Sequence, residues 1–196
     1  SGKSTQIENI KEFFHDKNMD IIFTREPGGT PIGERIRGII LDRKCSEMDP
    51  MTEAMLYAAA RAQHVAQVIR PALEKGKIVI CDRFVDSSIA YQGYGRKLGE
   101  AVASINHFAV KECMPDMTIL LKLDPSVGKH RISEDQQDRL EAEREAFHQE
   151  VYKGYLELEK NFPDRIVGID ADRGIDEIKV DIYEKLEKIL SNRCSQ

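Results

Sequence analysis

Ser1-Gly2-Lys3-Ser4-Thr5 heads the chain, and Ile7, Ile10 and Phe14 follow it at helical spacing. The five residues are the second half of the phosphate-loop pattern GxxxxGK[ST]. In such a loop, successive backbone N–H groups cradle phosphates at a helix N-terminus. The lysine reaches the β and γ groups, and the next hydroxyl ligates a divalent ion. A GKST alone carries little weight. At the start of a helix expected over Ser4 to about Lys17, it predicts a nucleotide-phosphate site. The strand and first glycine that would precede it are absent from the sequence, and a chain truly lacking that central strand should bind ATP poorly.

Working outward, the signal is alternation. Asp20-Ile21-Ile22-Phe23-Thr24 reads as a short buried strand running into Arg25-Glu26-Pro27-Gly28-Gly29-Thr30, a loop by its Pro-Gly-Gly content. A helix is expected from about Ile32 to Leu41. Asp49-Pro50 supplies an N-cap and an N1 proline for a long helix to about Lys75, which Gly76 ends. Lys77 to Asp82 is the second strand, Glu100 to Glu112 a helix, and Met117 to Leu123 the third strand. Asp138 to Asn161 is expected as a long charged helix, Arg165 to Ile169 as the fourth strand, and Asp176 to Leu190 as a closing helix. Strands separated by helices imply a parallel sheet wrapped on both faces. With 196 residues and no Pro/Ser-rich linker, the reading is one α/β domain over 1–196.

Composition removes other classes. The chain is 41% hydrophobic and 32% charged, as ordinary globular proteins are. Its longest apolar runs, Ile78 to Cys81 and Met117 to Leu121, are strand-length, so no membrane helix is expected. No apolar h-region stands at the N-terminus, which predicts no signal peptide. Cys45, Cys81, Cys113 and Cys194 show no CxxC spacing and read as reduced thiols in a cytoplasmic protein. A net charge of −5 argues against broad nucleic-acid binding, though a nucleotide needs only a local arginine cluster.

Asp82-Arg83 follows the second strand directly and so falls at the C-terminal sheet edge, where doubly wound folds bind ligands. An aspartate there can orient Mg²⁺, and an arginine can bridge donor and acceptor phosphates.

Four longer segments then carry a resemblance. Thr24-Arg25-Glu26-Pro27-Gly28-Gly29-Thr30-Pro31-Ile32-Gly33-Glu34 resembles the TREPGGTPxGE segment of bacterial thymidylate kinases. Thr52-Glu53 with Leu56 to Val65 is similar to that family's TELLLFAADRAQHV helix. Asp82-Arg83-Phe84 with Ser87 to Gly93 resembles DRYxxSSxAYQG, and Asp138-Arg139-Leu140-Glu141 resembles the DRxE of its lid. The likeness runs in order from Ser1 to about Asp172. It implies a P-loop NTPase three-layer fold with a five-stranded parallel sheet, the first strand being absent here. It also implies transfer of the γ-phosphoryl group of ATP to dTMP, with Mg²⁺, in a cytoplasmic homodimer that binds neither nucleic acid nor membrane. The alternatives are another nucleoside or nucleotide kinase, and a catalytically silent relative.

The resemblance also implies roles. Ser1, Gly2, Lys3, Ser4, Thr5, Arg131 and Asp172 would contact ATP, with Ser4 and Asp82 toward the metal. Lys3, Arg83 and the lid arginines Arg131 and Arg139 would be catalytic. Tyr57 would stack on thymine, and Arg61, one turn on, would bond the base edge. Arg37 and Arg83 would hold the acceptor phosphate, a task that suits the guanidinium fork. Ser88 and Gln92 would contact the base, Tyr91 would pack beneath the sugar, and Glu26 and Pro27 would line the monophosphate pocket.

The lid, about 128–142, departs from the family pattern. Ile132-Ser133-Glu134-Asp135-Gln136-Gln137 is acidic and short where several basic residues are usual. Either the lid is altered or a basic stretch is missing after Ile132 or Ser133. The second reading is favoured and predicts a chain break near Ser133 in a ligand-free structure. His64 reads as structural, and the other histidines make no metal spacing. Glu141 to Glu145 reads as a solvated helix face.

Overall fold

Among the described residues, four short strands run parallel in two pairs. In the computed structural model, which describes residues 2–128 and 138–193, β1 (Ile21–Arg25) pairs with β2 (Ile78–Asp82) and β3 (Thr118–Lys122) with β4 (Ile166–Asp170). The register sets Ile21 against Ile78 and Arg25 against Asp82, and Thr118 against Ile166 and Lys122 against Asp170. The expected single sheet is therefore two pairs among the described residues. Between them lies a cavity of about 790 Å³ with walls that include Phe23, Ile80, Ile119 and Leu121. Among the described residues neither β2 nor β3 has a strand neighbour on that side, which leaves their facing edges without ladder partners there.

The helices form two outer layers. Helices α1 (Lys3–Asp16) and α9 (Ile175–Arg193) cover one side, where Ile10, Phe14, Ile178 and Ile182 meet Ile21, Phe23, Ile80, Ile119 and Leu121. On the other side Phe147, Val151 and Leu158 of α8 (Glu145–Asn161) pack with Ala90, Ile166 and Leu120. Ile119 and Leu121 face one layer and Leu120 the other, the period-two signature of a strand buried on both faces. Fully buried side chains such as Phe14 and Ile182 each contribute about 1.5–3 kcal/mol by leaving water.

Helix α2 (Pro31–Leu41) begins where Thr30 Oγ1 accepts from Gly33 N at 2.9 Å, with Pro31 preset at its first position. Asp49 caps α3 (Pro50–His64) through Met51 N and Thr52 N. The expected run to Lys75 is not one α-helix. It widens into a π-helical stretch at Val65–Ile69 and resumes as α4 (Arg70–Glu74), because Pro71 has no N–H to continue the α ladder. After β2 come α5 (Val85–Ser88) and a second π-helical stretch, Ile89–Gly95. Then follow α6 (Glu100–Val110) and α7 (Pro125–Gly128). The helix expected from Asp138 starts only at Glu145. Asp138 Oδ1 instead accepts from Leu140 N and Glu141 N, both at 2.9 Å, folding 138–144 into turns. The expected break near Ser133 and the candidate Arg131 lie outside the described residues.

Candidate active site

At the C-terminal end of β2, Lys3 from the first turn of α1 places its Nζ 3.1 Å from Asp82 Oδ1. Gly2, with φ +66°, turns the chain into α1, so the helix N-terminus opens beside this pair. Burial lowers the Lys3 pKa, Arg83 lowers it further, and Asp82 opposes both. Arg83 itself has φ +64°, and its guanidinium lies 5.2 Å from the centre of the Tyr91 ring. Tyr155 from α8 donates to Ser87 Oγ at 2.9 Å, and its own pKa is pushed up to about 12 by burial. Asp82 Oδ1 is buried with the Lys3 ammonium as its neighbour, and Ser4 is exposed on the same first turn. Such sparse oxygen donors suit Mg²⁺ carried mainly by nucleotide phosphates. Among the described residues no cluster of three His, Cys, Asp or Glu offers a protein cage.

The loop after β1 forms the next wall. Glu26 N donates to Asp82 O at 3.0 Å, locking the loop to β2, and the Glu26–Pro27 peptide is cis. Arg37 Nη1 donates to Pro27 O at 3.0 Å, while Glu34 accepts from Gly29 N at 2.9 Å and pairs with Arg25 at 3.1 Å. The Gly29 N–H chiefly holds the Glu34 carboxyl below its ordinary pKa. Gly29 has φ +76°, and a Cβ on it would lie 2.8 Å from the His64 ring.

Behind this loop is a buried charge cluster. Arg61, 1% exposed, donates from Nε to Glu26 Oε2 at 2.8 Å and from Nη1 to Ser88 Oγ at 3.0 Å and to Asn106 Oδ1. His64 bridges Thr24 Oγ1 at 2.6 Å and Glu26 Oε1 at 2.9 Å. Two of Arg61's donor nitrogens, Nε and Nη1, are thus committed to protein, while the residue also lines the cavity described below. Glu26, expected as pocket wall, is the shared acceptor of Arg61 and His64.

A second cluster centres on Glu53, which is fully buried. It accepts from Gln92 Nε2 at 2.8 Å, from Arg96 at 3.0 and 3.2 Å, and from Arg139 Nη2 at 2.5 Å. Burial pushes the Glu53 pKa up, but hydrogen bonds from Arg96, Gln92 and Arg139 outweigh it and hold the group below its ordinary value. Arg139 also donates to Ile40 O at 2.8 Å. The guanidinium of Arg139, expected as a catalytic lid arginine, is thus held here by the buried carboxylate. Glu143 pairs with Arg96 at 2.6 Å, so the Glu141 to Glu145 run is not simply a solvated face.

A cavity of about 220 Å³ gathers most of the candidates: Lys3, Glu26, Pro27, Arg37, Tyr57, Arg61, Asp82, Arg83, Ser88, Tyr91 and Gln92 all line it. Its lining combines a lysine and arginines with aromatic, hydroxyl and amide side chains, a set suited to a nucleoside phosphate. The family model described as thymidylate kinase matches residues 1–182. The chain belongs to the thymidylate kinase family. It is 46% identical over 195 residues to the thymidylate kinase of Halalkalibacterium halodurans, covering 97% of this chain and 93% of that one. With the thymidylate kinase of Pediococcus pentosaceus it shares 50% identity over 197 residues, covering 97% and 94%. The crystal structure of thymidylate kinase from Ehrlichia chaffeensis superposes with a TM-score of 0.77 at 28% identity, covering 94% of this chain and 92% of that one. The family carries the P-loop NTPase fold read from the sequence.

Other candidates lie outside the cavity. Ser4 and Thr5 are exposed on α1. Asp172 is exposed in the loop after β4, which stands beside α1 because Gln6 Nε2 donates to Ile175 O at 3.0 Å. Ser1 and Arg131 are outside the described residues. Sequence reasoning missed the roles of Glu53 and Asn106, and it set aside His148, which lines both cavities. A signal for Glu53 existed: with Tyr57, Arg61 and His64 it repeats at i, i+4, i+8 and i+11, one face of α3.

Proposed function

We propose that the chain transfers the γ-phosphoryl group of ATP to dTMP, giving dTDP for dTTP synthesis. The observation that carries this is the single cavity joining the phosphate-loop lysine and Asp82-Arg83 to the Tyr57, Ser88 and Gln92 set. The α1 N-terminus and Lys3 would bind the donor phosphates, with Ser1, Gly2, Ser4, Thr5, Asp172 and Arg131 on the ATP side. Arg37 and Arg83 would hold the acceptor phosphate, and Arg83, able to reach both substrates, would take up charge on the transferring group. Tyr57 would stack on the thymine, Tyr91 would support the sugar, and Ser88 and Gln92 would meet the base edge. Mg²⁺, held by the ATP phosphates with Ser4 and Asp82, would neutralise phosphate charge. Phosphoryl transfer needs positioning and charge screening more than covalent help, and this inventory answers that need.

A homodimer is supported by the outward face of α3 and α6, where Met55 is 55% and Phe108 76% exposed. A cytoplasmic setting is supported by free thiols at Cys45, Cys81 and Cys113, and no described helix is long and apolar enough to cross a membrane. The decisive assay is ADP release from Mg-ATP with dTMP, dUMP, dCMP, AMP and thymidine offered separately. Turnover greatest with dTMP, weaker with dUMP and absent with the others is expected. Turnover favouring AMP or thymidine would point to another nucleoside or nucleotide kinase, and binding of dTMP without turnover to a silent relative.

A further inference from the structure

We infer that Glu53, which touches no substrate in the reading above, sets base selectivity by fixing which end of the Gln92 amide the pocket presents. The inference rests on the cavity being the dTMP site. Gln92 is 1% exposed and lines that cavity. A glutamine amide has a donor end and an acceptor end, and rotating it by half a turn exchanges them. Glu53 removes that freedom. It is a fully buried carboxylate facing Arg96, Arg139 and Gln92, so it is an acceptor only, and only the NH₂ end of Gln92 can face it. Gln92 Oε1 is then the end left over, and it is buried without a hydrogen-bond partner. An orphaned buried acceptor is costly, and a ligand donor that reaches it is rewarded.

The ligand chemistry follows. A pyrimidine with N–H at ring position 3, as in thymine and uracil, offers a donor to Oε1. Cytosine offers a bare acceptor nitrogen there and would meet Oε1 lone pair to lone pair. Arg96 and Arg139 hold the carboxylate ionised and in place, so the preference is written into the folded protein before any base arrives. Glu53 is therefore a positioning residue that acts through Gln92.

The test measures dissociation constants for dTMP and dCMP by calorimetry in wild type, Glu53→Gln, Gln92→Leu and the double variant, with folding checked by near-UV dichroism. A glutamine at position 53 can accept or donate, so Gln92 regains both orientations. The dTMP-over-dCMP ratio is expected to fall roughly tenfold in Glu53→Gln. It should fall comparably in Gln92→Leu, and Glu53→Gln should add nothing once Gln92 is gone. A purely structural Glu53 would weaken both ligands alike and leave the ratio untouched. An unchanged ratio in either folded single variant, or additive effects in the double, would overturn the inference. If Glu53→Gln does not fold, NMR of the wild type decides. The Gln92 NH₂ protons should keep their carboxylate-bonded shifts on dTMP binding, and their displacement would overturn the inference. Wild type with no dTMP preference would instead sink the functional reading itself.

Discussion

Replacing Arg61 by methionine tests its structural burden. The side chain is 1% exposed and the Glu26 carboxylate it faces 2%, so the change strands a charge away from water. Breaking a buried ion pair from one side costs about 3–5 kcal/mol. Arg61 also supplies hydrogen bonds to Ser88 and Asn106, whereas His64 remains 2.9 Å from Glu26. These two effects oppose each other, so a loss of about 4 kcal/mol is expected. For a domain of this size each kcal/mol lowers Tm by about 2–4 °C, giving a fall of roughly 8–16 °C. Urea denaturation of Arg61→Met, Glu26→Gln and the double variant forms the cycle. The double should recover about 2 kcal/mol relative to the sum of the singles, because neutralising Glu26 removes the stranded charge. A loss under about 1 kcal/mol in Arg61→Met, or strict additivity, would refute the view that this pair is a dry, mutually dependent contact.

Lys3→Met should lower kcat by about 10²–10³-fold while shifting Tm by no more than about 2 °C, since the Lys3–Asp82 pair is partly exposed; steady-state kinetics beside a thermal melt checks both. Gly29→Ala should cost about 1–3 kcal/mol in chemical denaturation, because its φ of +76° and the His64 ring 2.8 Å from the added Cβ both oppose a side chain. Glu53 has a folded-state pKa below its ordinary 4.5, so its stabilisation is present above that value and is lost as pH falls through the lowered one. Stability measured from pH 6 downward should therefore decline below about 4.5, and less steeply in Glu53→Gln than in wild type.

Much of this architecture was legible because local rules and tertiary needs agreed. Asp49-Pro50 reads as a cap, and it caps α3 in the structure. The strand cores Ile21 to Thr24 and Ile78 to Asp82 are short apolar runs, and both are strands. The failures have physical sources. The charge pattern from Asp138 onward suits a helix, but Asp138 satisfies backbone donors through its side chain, and Arg139 is drawn off the helical path by Glu53 and the Ile40 carbonyl. The second π-helical widening depends on packing that periodicity does not encode: a Cβ on Gly95 would meet Phe147 at 2.7 Å, so that stretch is shaped by α8 against it. Arg61 was legible as a site residue, but Glu26 and Asn106, 35 and 45 positions away in sequence, decide where its donors go.

The two buried clusters divide the labour of the cavity. Around Glu26, carboxylate, arginine and histidine tie the loop after β1 to α3, α5 and α6, fixing the wall next to Pro27 and Arg37. Around Glu53, a second carboxylate ties α3 to the π-helical stretch bearing Gln92 and to the turn bearing Arg139. Tyr57 sits on α3 between these two anchors, one turn from each. The aromatic surface offered to the base is thus held from both ends by buried charges. Loosening either anchor should blur recognition of the base before it disturbs Lys3 and Asp82, which belong to α1 and β2 and depend on neither cluster for their contact.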